Sequence, residues 1–198
     1  MVWSNIAPTV YTLCARLLIC NSVPSSAHLE EKTIYLLVGS KGSGKTHIGK
    51  LLEQELGIVF LRVEERLIDH QHNTGTLNKQ LKNDGYDLEE NWINEILHTK
   101  NEVISEATGS SAHLAKFIRR LESVHRLKLI RIYCPLDECF IRVKKRSTKQ
   151  QYEMSDEKVH LINAASHKVE LEWALEIDNT LPASHADILA SFNNIRRR

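Results

Sequence analysis

A glycine-rich stretch that ends in a lysine and a threonine has residue types and spacing that could bind a phosphate. Residues 39–46 read GSKGSGKT and fit the pattern G-x-x-x-x-G-K-[ST]. Glycines at this spacing let backbone N–H groups close around a phosphate, Lys45 can reach the β- and γ-phosphates, and the Thr46 hydroxyl can ligate Mg²⁺. His47 follows the loop and either joins the site or faces solvent. The predicted nucleotide-binding residues here are Gly39, Lys41, Gly42, Ser43, Gly44, Lys45, Thr46 and His47.

The elements needed to position this loop are present on both sides of it. The apolar run TIYLLVG at 33–39 is typical of a strand buried on both faces. From Gly44 onward apolar residues recur at helical spacing until Gly57. A strand, a glycine loop and a helix start place the positive end of the helix dipole beneath the bound phosphate.

Strand-like and helix-like segments alternate along the rest of the chain. This alternation predicts parallel strands joined by right-handed crossovers, hence a three-layer α/β/α sandwich. A helix near 88–98 is expected to be capped by Asp87. The predicted strands lie at 33–39, 58–63, 102–111 with a turn, 127–134 and 173–178, and further helices pass through 117–121, follow Pro135, cover 156–171 and follow Pro182.

Length and composition favour one soluble globular domain. The chain has 198 residues, 42% of them hydrophobic, with 26 basic and 25 acidic residues. This balance predicts no nucleic-acid or membrane partner and a cytoplasmic protein, with 196–198 as a solvated basic tail. The four cysteines show no zinc-binding spacing, so buried thiols are expected.

Residues 1–32 differ in composition from the rest. No acidic residue precedes Glu30, and Arg16 interrupts the apolar run, which argues against a secretory signal. We expect a poorly ordered N-terminal extension, with organelle targeting as a weaker alternative, followed by one domain at 33–198.

The stretch GSGKTHIGKLLEQELGIVF at 42–60 resembles the opening of shikimate kinases, a branch of the P-loop small-molecule kinases. ATGSS at 107–111 is similar to the Ala-Thr-Gly-Gly-Gly turn of that family, and IDNT at 177–180 is similar to its last strand, near which adenine is held. The resemblance implies a five-stranded parallel P-loop NTPase sheet, ATP and Mg²⁺, and a small lid at about 144–156. It also implies transfer of the γ-phosphoryl group to a hydroxyl, with Asn179 near the nucleotide.

The chain departs from the family pattern after the second strand. Where the family has Asp-x-Asp, this chain has Arg62-Val63-Glu64. Glu64 at the strand tip would bind and activate the acceptor hydroxyl. Glu106 either replaces the missing Mg²⁺-supporting carboxylate or is an exposed turn residue, and Arg62 is either a salt-bridging residue or a functional one.

The same resemblance places an acceptor turn and a cationic lid in the chain. Gly109 and Ser110 would offer N–H and hydroxyl groups to a polar acceptor. Five cations fall within 142–149, and of these Arg142 and Arg146 are the candidates for neutralising the transferred phosphoryl group. A solvated helix end explains the same run. The helix expected to carry a carboxylate-binding arginine has none, which weakens shikimate as the acceptor.

Two functions follow from these residues. The first is an ATP-dependent phosphotransferase with an alcohol group on a small metabolite as acceptor. The alternative is a non-catalytic ATP-binding regulator or a nucleoside or nucleotide kinase. The residues leave open both the acceptor and whether the protein is a monomer or a dimer.

Overall fold

The computed structural model describes residues 31–75, 78–145 and 154–198, with only the backbone described for 78–84. Within these ranges no helix is both long and apolar enough to cross a membrane. The strands are β1 Thr33–Val38, β2 Val59–Phe60, β3 Glu102–Ala107, β4 Arg126–Tyr133 and β5 Leu175–Asp178. The helices are α1 Lys45–Leu56, α2 Val63–Thr74, α3 Asn78–Thr99, α4 Leu114–Glu122, α5 Leu136–Lys145, α6 Asp156–His167 and α7 His185–Arg196.

The five strands form one parallel sheet in the order β2-β3-β1-β4-β5. β1 is central and pairs with β3 along one edge and β4 along the other, so that Val38 lies between Ala107 and Arg131. The connection from β1 leads through α1 to β2 on one side of β1, and the connection from β3 leads through α4 to β4 on the other side. This reversal of direction opens a crevice at the carboxyl ends of the strands. The predicted three-layer sandwich with a five-stranded parallel sheet is confirmed.

Helices bury both faces of this sheet. On one face Ile48 and Leu52 of α1 meet Phe192 of α7, and all three side chains are fully buried. On the other face Ile93 of α3 packs with Phe117 of α4. Burying one such side chain contributes roughly 1.5–3 kcal/mol, so the two cores hold the loops at the sheet edge in place.

The second strand is shorter than its apolar run predicts. It covers only Val59–Phe60, since Arg62 is the N-cap residue of α2 and Val63 starts that helix. Glu64 and Glu65 occupy the first turn, where carboxylates interact favourably with the helix dipole. Glu64 therefore lies on a helix start and not at a strand tip.

Helix α3 is longer than predicted, and the expected cap at Asp87 is wrong. Asp87 lies inside α3, where its Oδ1 is 2.7 Å from the guanidinium of Arg120 on α4. The ion pair between two helices replaces the local capping interaction that the sequence pattern indicated.

The basic residues 196–198 are exposed, as predicted for a solvated tail, but they also make contacts with the sheet. Arg196 belongs to α7 and binds the carboxylate of Glu102 through its Nε at 2.9 Å. Arg126 donates to the carbonyl oxygen of Arg198, and the buried Lys128 donates to that of Ile195. These contacts fasten α7 to the amino ends of the strands.

Two predicted segments fall largely outside the described residues. Residues 1–30 of the expected N-terminal extension are among them, and so are 146–153 of the expected lid. The described ends of the lid segment are joined by an ion pair of 2.6 Å between Lys144 Nζ and Asp156 Oδ1. The extension and the lid remain predictions.

Candidate active site

The glycine loop lies between β1 and α1, as the motif predicts. Gly42 has φ 90° and Gly44 has φ 106°, in the region that favours glycine. A Cβ at Gly42 would collide with the carbonyl oxygen of Cys139, and one at Gly44 with Nδ2 of Asn179. Both backbone conformation and close packing therefore require glycine at these two positions.

Lys45 directs its ammonium group toward the beginning of the loop. Its Nζ donates to the carbonyl oxygens of Gly39 at 2.7 Å and Ser40 at 3.0 Å, and the residue is buried. Phosphate oxygens at the loop would compete with these carbonyls for the same ammonium group, as expected for the phosphate-binding lysine of this motif.

Thr46 and Glu106 meet at the carboxyl end of β3. The Thr46 hydroxyl donates to Oε2 of Glu106 at 3.0 Å. Burial raises the pKa of Glu106, while the positive charge of Lys45 and the Thr46 hydrogen bond oppose that rise. Glu106 is therefore not an exposed turn residue, which was one of its two predicted interpretations.

The Thr46 and Glu106 pair fits a magnesium ion that also binds phosphate oxygens and water. Mg²⁺ prefers hard oxygen ligands and usually takes only one or two from the protein. A hydroxyl and a carboxylate supply them here. A cation would also offset the cost of burying the charged form of Glu106. No group of three or more His, Cys, Asp or Glu that could hold a metal occurs in the described part of the chain.

Glu64 contacts the glycine loop from the start of α2. Its Oε1 lies 2.9 Å from Nζ of Lys41, and about a third of the Glu64 side chain is exposed. Glu64 also raises the pKa of Glu106 by charge repulsion, so the two carboxylates share one site. The predicted acceptor-binding carboxylate and the predicted metal-binding carboxylate are thus brought together.

A third carboxyl group, Glu89 of α3, was not predicted. It is buried and accepts a hydrogen bond of 2.7 Å from the Ser105 hydroxyl. Burial raises the pKa of Glu89 to about 8, the Ser105 bond opposes the rise, and Glu106 adds to it. A sequence signal existed, because Glu89, Ile93 and Leu97 follow one another at the spacing of a helix face, and the latter two are core residues.

We expect the stability of the protein to depend on this buried carboxyl group. The folded state keeps a proton on Glu89 that the unfolded chain releases above the ordinary pKa of 4.5, so stability falls as pH rises from 4.5 to about 8. Each rise of one pH unit lowers the free energy of unfolding by at most ~1.4 kcal/mol. Glu89→Gln should therefore have a higher melting temperature than wild type, and this difference should be larger at pH 8 than at pH 5. Differential scanning calorimetry measures both melting temperatures.

The control for that measurement is Glu95→Gln, an exposed carboxylate on the same helix. The difference in melting temperature between this variant and wild type should be the same at pH 5 and pH 8. A Glu89→Gln protein whose difference from wild type stays constant with pH would contradict a proton held on Glu89.

Arg62 occupies the position where the resembling family has a carboxylate. Its guanidinium lies 3.0 Å from Oε2 of Glu53 and 3.8 Å from Oε2 of Glu65. These contacts support the salt-bridging interpretation. The carboxylate near Thr46 comes instead from the neighbouring strand, as Glu106.

The predicted acceptor turn follows β3. Gly109 has φ 81° and packs against Val38 and Val169. The hydroxyls of Thr108 and Ser110 are 3.0 Å apart. The turn lies three residues beyond Glu106 in the chain and presents hydroxyl groups near the carboxyl ends of β1 and β3.

Arg142 of α5 is bound to the loop after β5. It donates to Glu138 at 2.8 Å and to the carbonyl oxygens of Asn179 and Thr180, each at 2.9 Å. A role in phosphoryl transfer would require these bonds to open, so its catalytic role stays a prediction. Arg146 lies outside the described residues.

Two further predicted nucleotide-binding residues border α1. The side chain of Asn179 donates to the carbonyl oxygen of Ser43 at 2.7 Å. The exposed ring of His47 lies 5.5 Å from that of His185 at the start of α7. Asn179 thus contacts the loop directly, while His47 lies beside the solvent-facing end of α7.

The fold is that of P-loop kinases, because the sheet is parallel with β1 at its centre and a glycine loop precedes α1. The site adds carboxylates beside Lys41 and Thr46 of that loop. Residues 20–176 match the family model named Zeta toxin, which spans more than half of the chain. The chain belongs to the Zeta toxin family.

Comparisons with individual proteins agree with the P-loop kinase fold. A shikimate kinase from Persephonella marina (strain DSM 14350 / EX-H1) is 28% identical over 154 residues, covering 71% of this chain and 90% of that protein. Among solved structures, a sugar kinase from Janibacter sp. HTCC2649 matches with a TM-score of 0.58 at 14% identity, over 84% of this chain and 95% of that one. Shikimate kinase from Acinetobacter baumannii in complex with shikimate matches with a TM-score of 0.51 at 20% identity, over 84% and 94%. The predicted resemblance to shikimate kinases is confirmed.

Proposed function

We propose that this protein is an ATP-dependent kinase that transfers the γ-phosphoryl group to a hydroxyl of a small molecule. The observation that carries the proposal is the placement of Glu64 and Glu106 against Lys41 and Thr46 of the glycine loop. One carboxylate is buried beside the threonine, and the other is partly exposed at a helix start, where an acceptor can reach it.

The proposed roles follow from these two environments. Lys45 stabilises negative charge on the transferred group. Thr46 and Glu106 would hold Mg²⁺, which would supply positive charge to neutralise the phosphate oxygens. Glu64, partly exposed and in contact with Lys41, orients the acceptor hydroxyl and takes its proton.

The acceptor is proposed to bind between Glu64 and the turn at Gly109 and Ser110. Hydroxyls at this turn suit a polar acceptor. Helix α3 contains no arginine, so it offers no bidentate partner for an acceptor carboxylate. A hydroxyl-rich acceptor without a carboxylate, such as a sugar, therefore fits better than shikimate.

A non-catalytic ATP-binding protein is the second candidate. It is favoured by Arg62, which replaces a family carboxylate and is held by Glu53 and Glu65. In that case Lys41 and Glu64 would form a permanent closure of the loop and not an acceptor site.

The test is ADP release from MgATP, first without acceptor and then with separate pools of sugars, sugar acids including shikimate, nucleosides and nucleoside monophosphates. Stimulation by one pool, with phosphate recovered on the acceptor, would establish a kinase. MgATP binding without stimulation by any pool would overturn the proposal in favour of the non-catalytic protein.

A further inference from the structure

We propose that Asn163 is a positioning residue that sets the glycine loop for nucleotide binding. Asn163 lies on α6 and its side chain is buried. Its Oδ1 accepts a hydrogen bond from the backbone N–H of Lys41 at 2.8 Å, and its Nδ2 donates to the carbonyl oxygen of Lys41 at 3.0 Å. The inference rests on the nucleotide-binding part of the proposed function.

This pair of bonds fixes more backbone than a single contact would. The N–H and the C=O of Lys41 belong to two successive peptide units, so one side chain orients both. In a trans peptide the C=O and the following N–H point in opposite directions. Binding the Lys41 carbonyl to Asn163 therefore turns the N–H of Gly42 away from α6.

The orientation matters because a phosphate needs N–H groups and is repelled by carbonyl oxygens. Asn163 removes one carbonyl oxygen, that of Lys41, from the groups that could face the nucleotide. It also binds the Lys41 N–H, so that the N–H of Gly42 is the first loop donor after it that can face a phosphate. The peptide units on either side of Lys41, held in this way, do not have to be reoriented when the nucleotide binds.

Asn163 also connects the loop with the acceptor side of the site. The peptide units it holds carry Lys41, whose Nζ contacts Glu64 at 2.9 Å. A second contact supports the docking of α6, because the Ser40 hydroxyl donates to the backbone carbonyl oxygen of Asn163 at 3.4 Å. Residues of α6, the loop and α2 thus form one continuous chain of contacts.

A second asparagine acts on the other side of Gly42. Asn179 donates to the carbonyl oxygen of Ser43 at 2.7 Å. The carbonyl groups of Lys41 and Ser43, on either side of the glycine with φ 90°, are thus both bound by buried amides. Asn179 donates one bond to the loop, whereas Asn163 both donates and accepts, so we expect Asn163 to have the larger effect.

The test measures MgATP binding to Asn163→Leu by isothermal titration calorimetry. Loss of both hydrogen bonds should raise the dissociation constant by about tenfold or more. In a turnover assay the KM for ATP should rise more than kcat falls. Asn163→Asp keeps the acceptor for the Lys41 N–H but loses the donor, so it should also bind MgATP more weakly and remains measurable if the leucine variant does not fold.

The matched control is Ser166→Ala, one turn further along α6. Ser166 is buried, and its hydroxyl has no hydrogen-bond partner among the described residues. This variant should bind MgATP as wild type does. Folded Asn163 variants with a wild-type dissociation constant, or a loss equal to that of Ser166→Ala, would overturn the inference.

The binding measurement separates this inference from the proposed kinase activity. A wild-type protein that binds MgATP but phosphorylates no acceptor defeats the proposed function, while weaker binding by the Asn163 variants still supports the positioning role. If wild type phosphorylates an acceptor but the Asn163 variants bind MgATP as wild type does, the proposed function stands and the positioning role is wrong.

Discussion

Replacing Lys45 with alanine should lower turnover by roughly two to three orders of magnitude, since the variant lacks the charge that stabilises the transferred phosphoryl group. The ammonium group is held inside the loop by the carbonyl oxygens of Gly39 and Ser40, and alanine removes its charge from that position. ADP release with a saturating acceptor measures the effect.

Lys50→Ala is the control for this variant. Lys50 lies on the same helix and is exposed. Its removal changes the net charge equally and should leave turnover unchanged. Wild-type turnover in Lys45→Ala would mean that the loop does not carry the reaction.

Replacing Glu64 with glutamine should reduce turnover by about a hundredfold or more while leaving MgATP affinity nearly unchanged. Glutamine keeps the size of the side chain but cannot accept the acceptor proton. Glu64 contacts the loop through the side chain of Lys41, and Lys45 and Thr46, the residues predicted to bind phosphate and Mg²⁺, have other partners. Turnover and MgATP affinity measured on one preparation separate the two effects.

Glu65→Gln serves as the neighbouring control, because Glu65 lies in the same helical turn and faces Arg62 at 3.8 Å. It should change neither quantity much. An equal loss of turnover and affinity in Glu64→Gln would assign Glu64 to the metal, and unchanged turnover would remove it from the reaction.

The sequence predicted those parts of the structure that depend on local pattern. The loop at 39–46 and the helix ended by Gly57 follow from glycine spacing and apolar periodicity, which are readable without knowing the partners. The predicted end of β2 was wrong because the apolar run continues into α2. At that point the interaction of two first-turn carboxylates with the helix dipole outweighs the strand pattern.

Contacts between distant segments could not be predicted in the same way. Asn163 meets Lys41 across 122 residues of sequence, and Glu89 meets Ser105 between α3 and β3. A polar residue on a buried helix face was the visible signal in both cases, but it does not name the partner. Arg196 shows the same limit, since only the folded sheet brings Glu102 beneath α7.

The position of α7 has a consequence for how the chain is synthesised. Ile188, Phe192 and Ile195 close the core over β1, the first strand of the sheet, and over α1. Until these residues leave the ribosome, that face of the nascent sheet exposes apolar side chains to water, including Tyr35, whose ring lies 4.6 Å from Phe192. This face of the sheet is therefore complete only after α7 has been synthesised, and a chain that lacks α7 is open to aggregation or to chaperone binding.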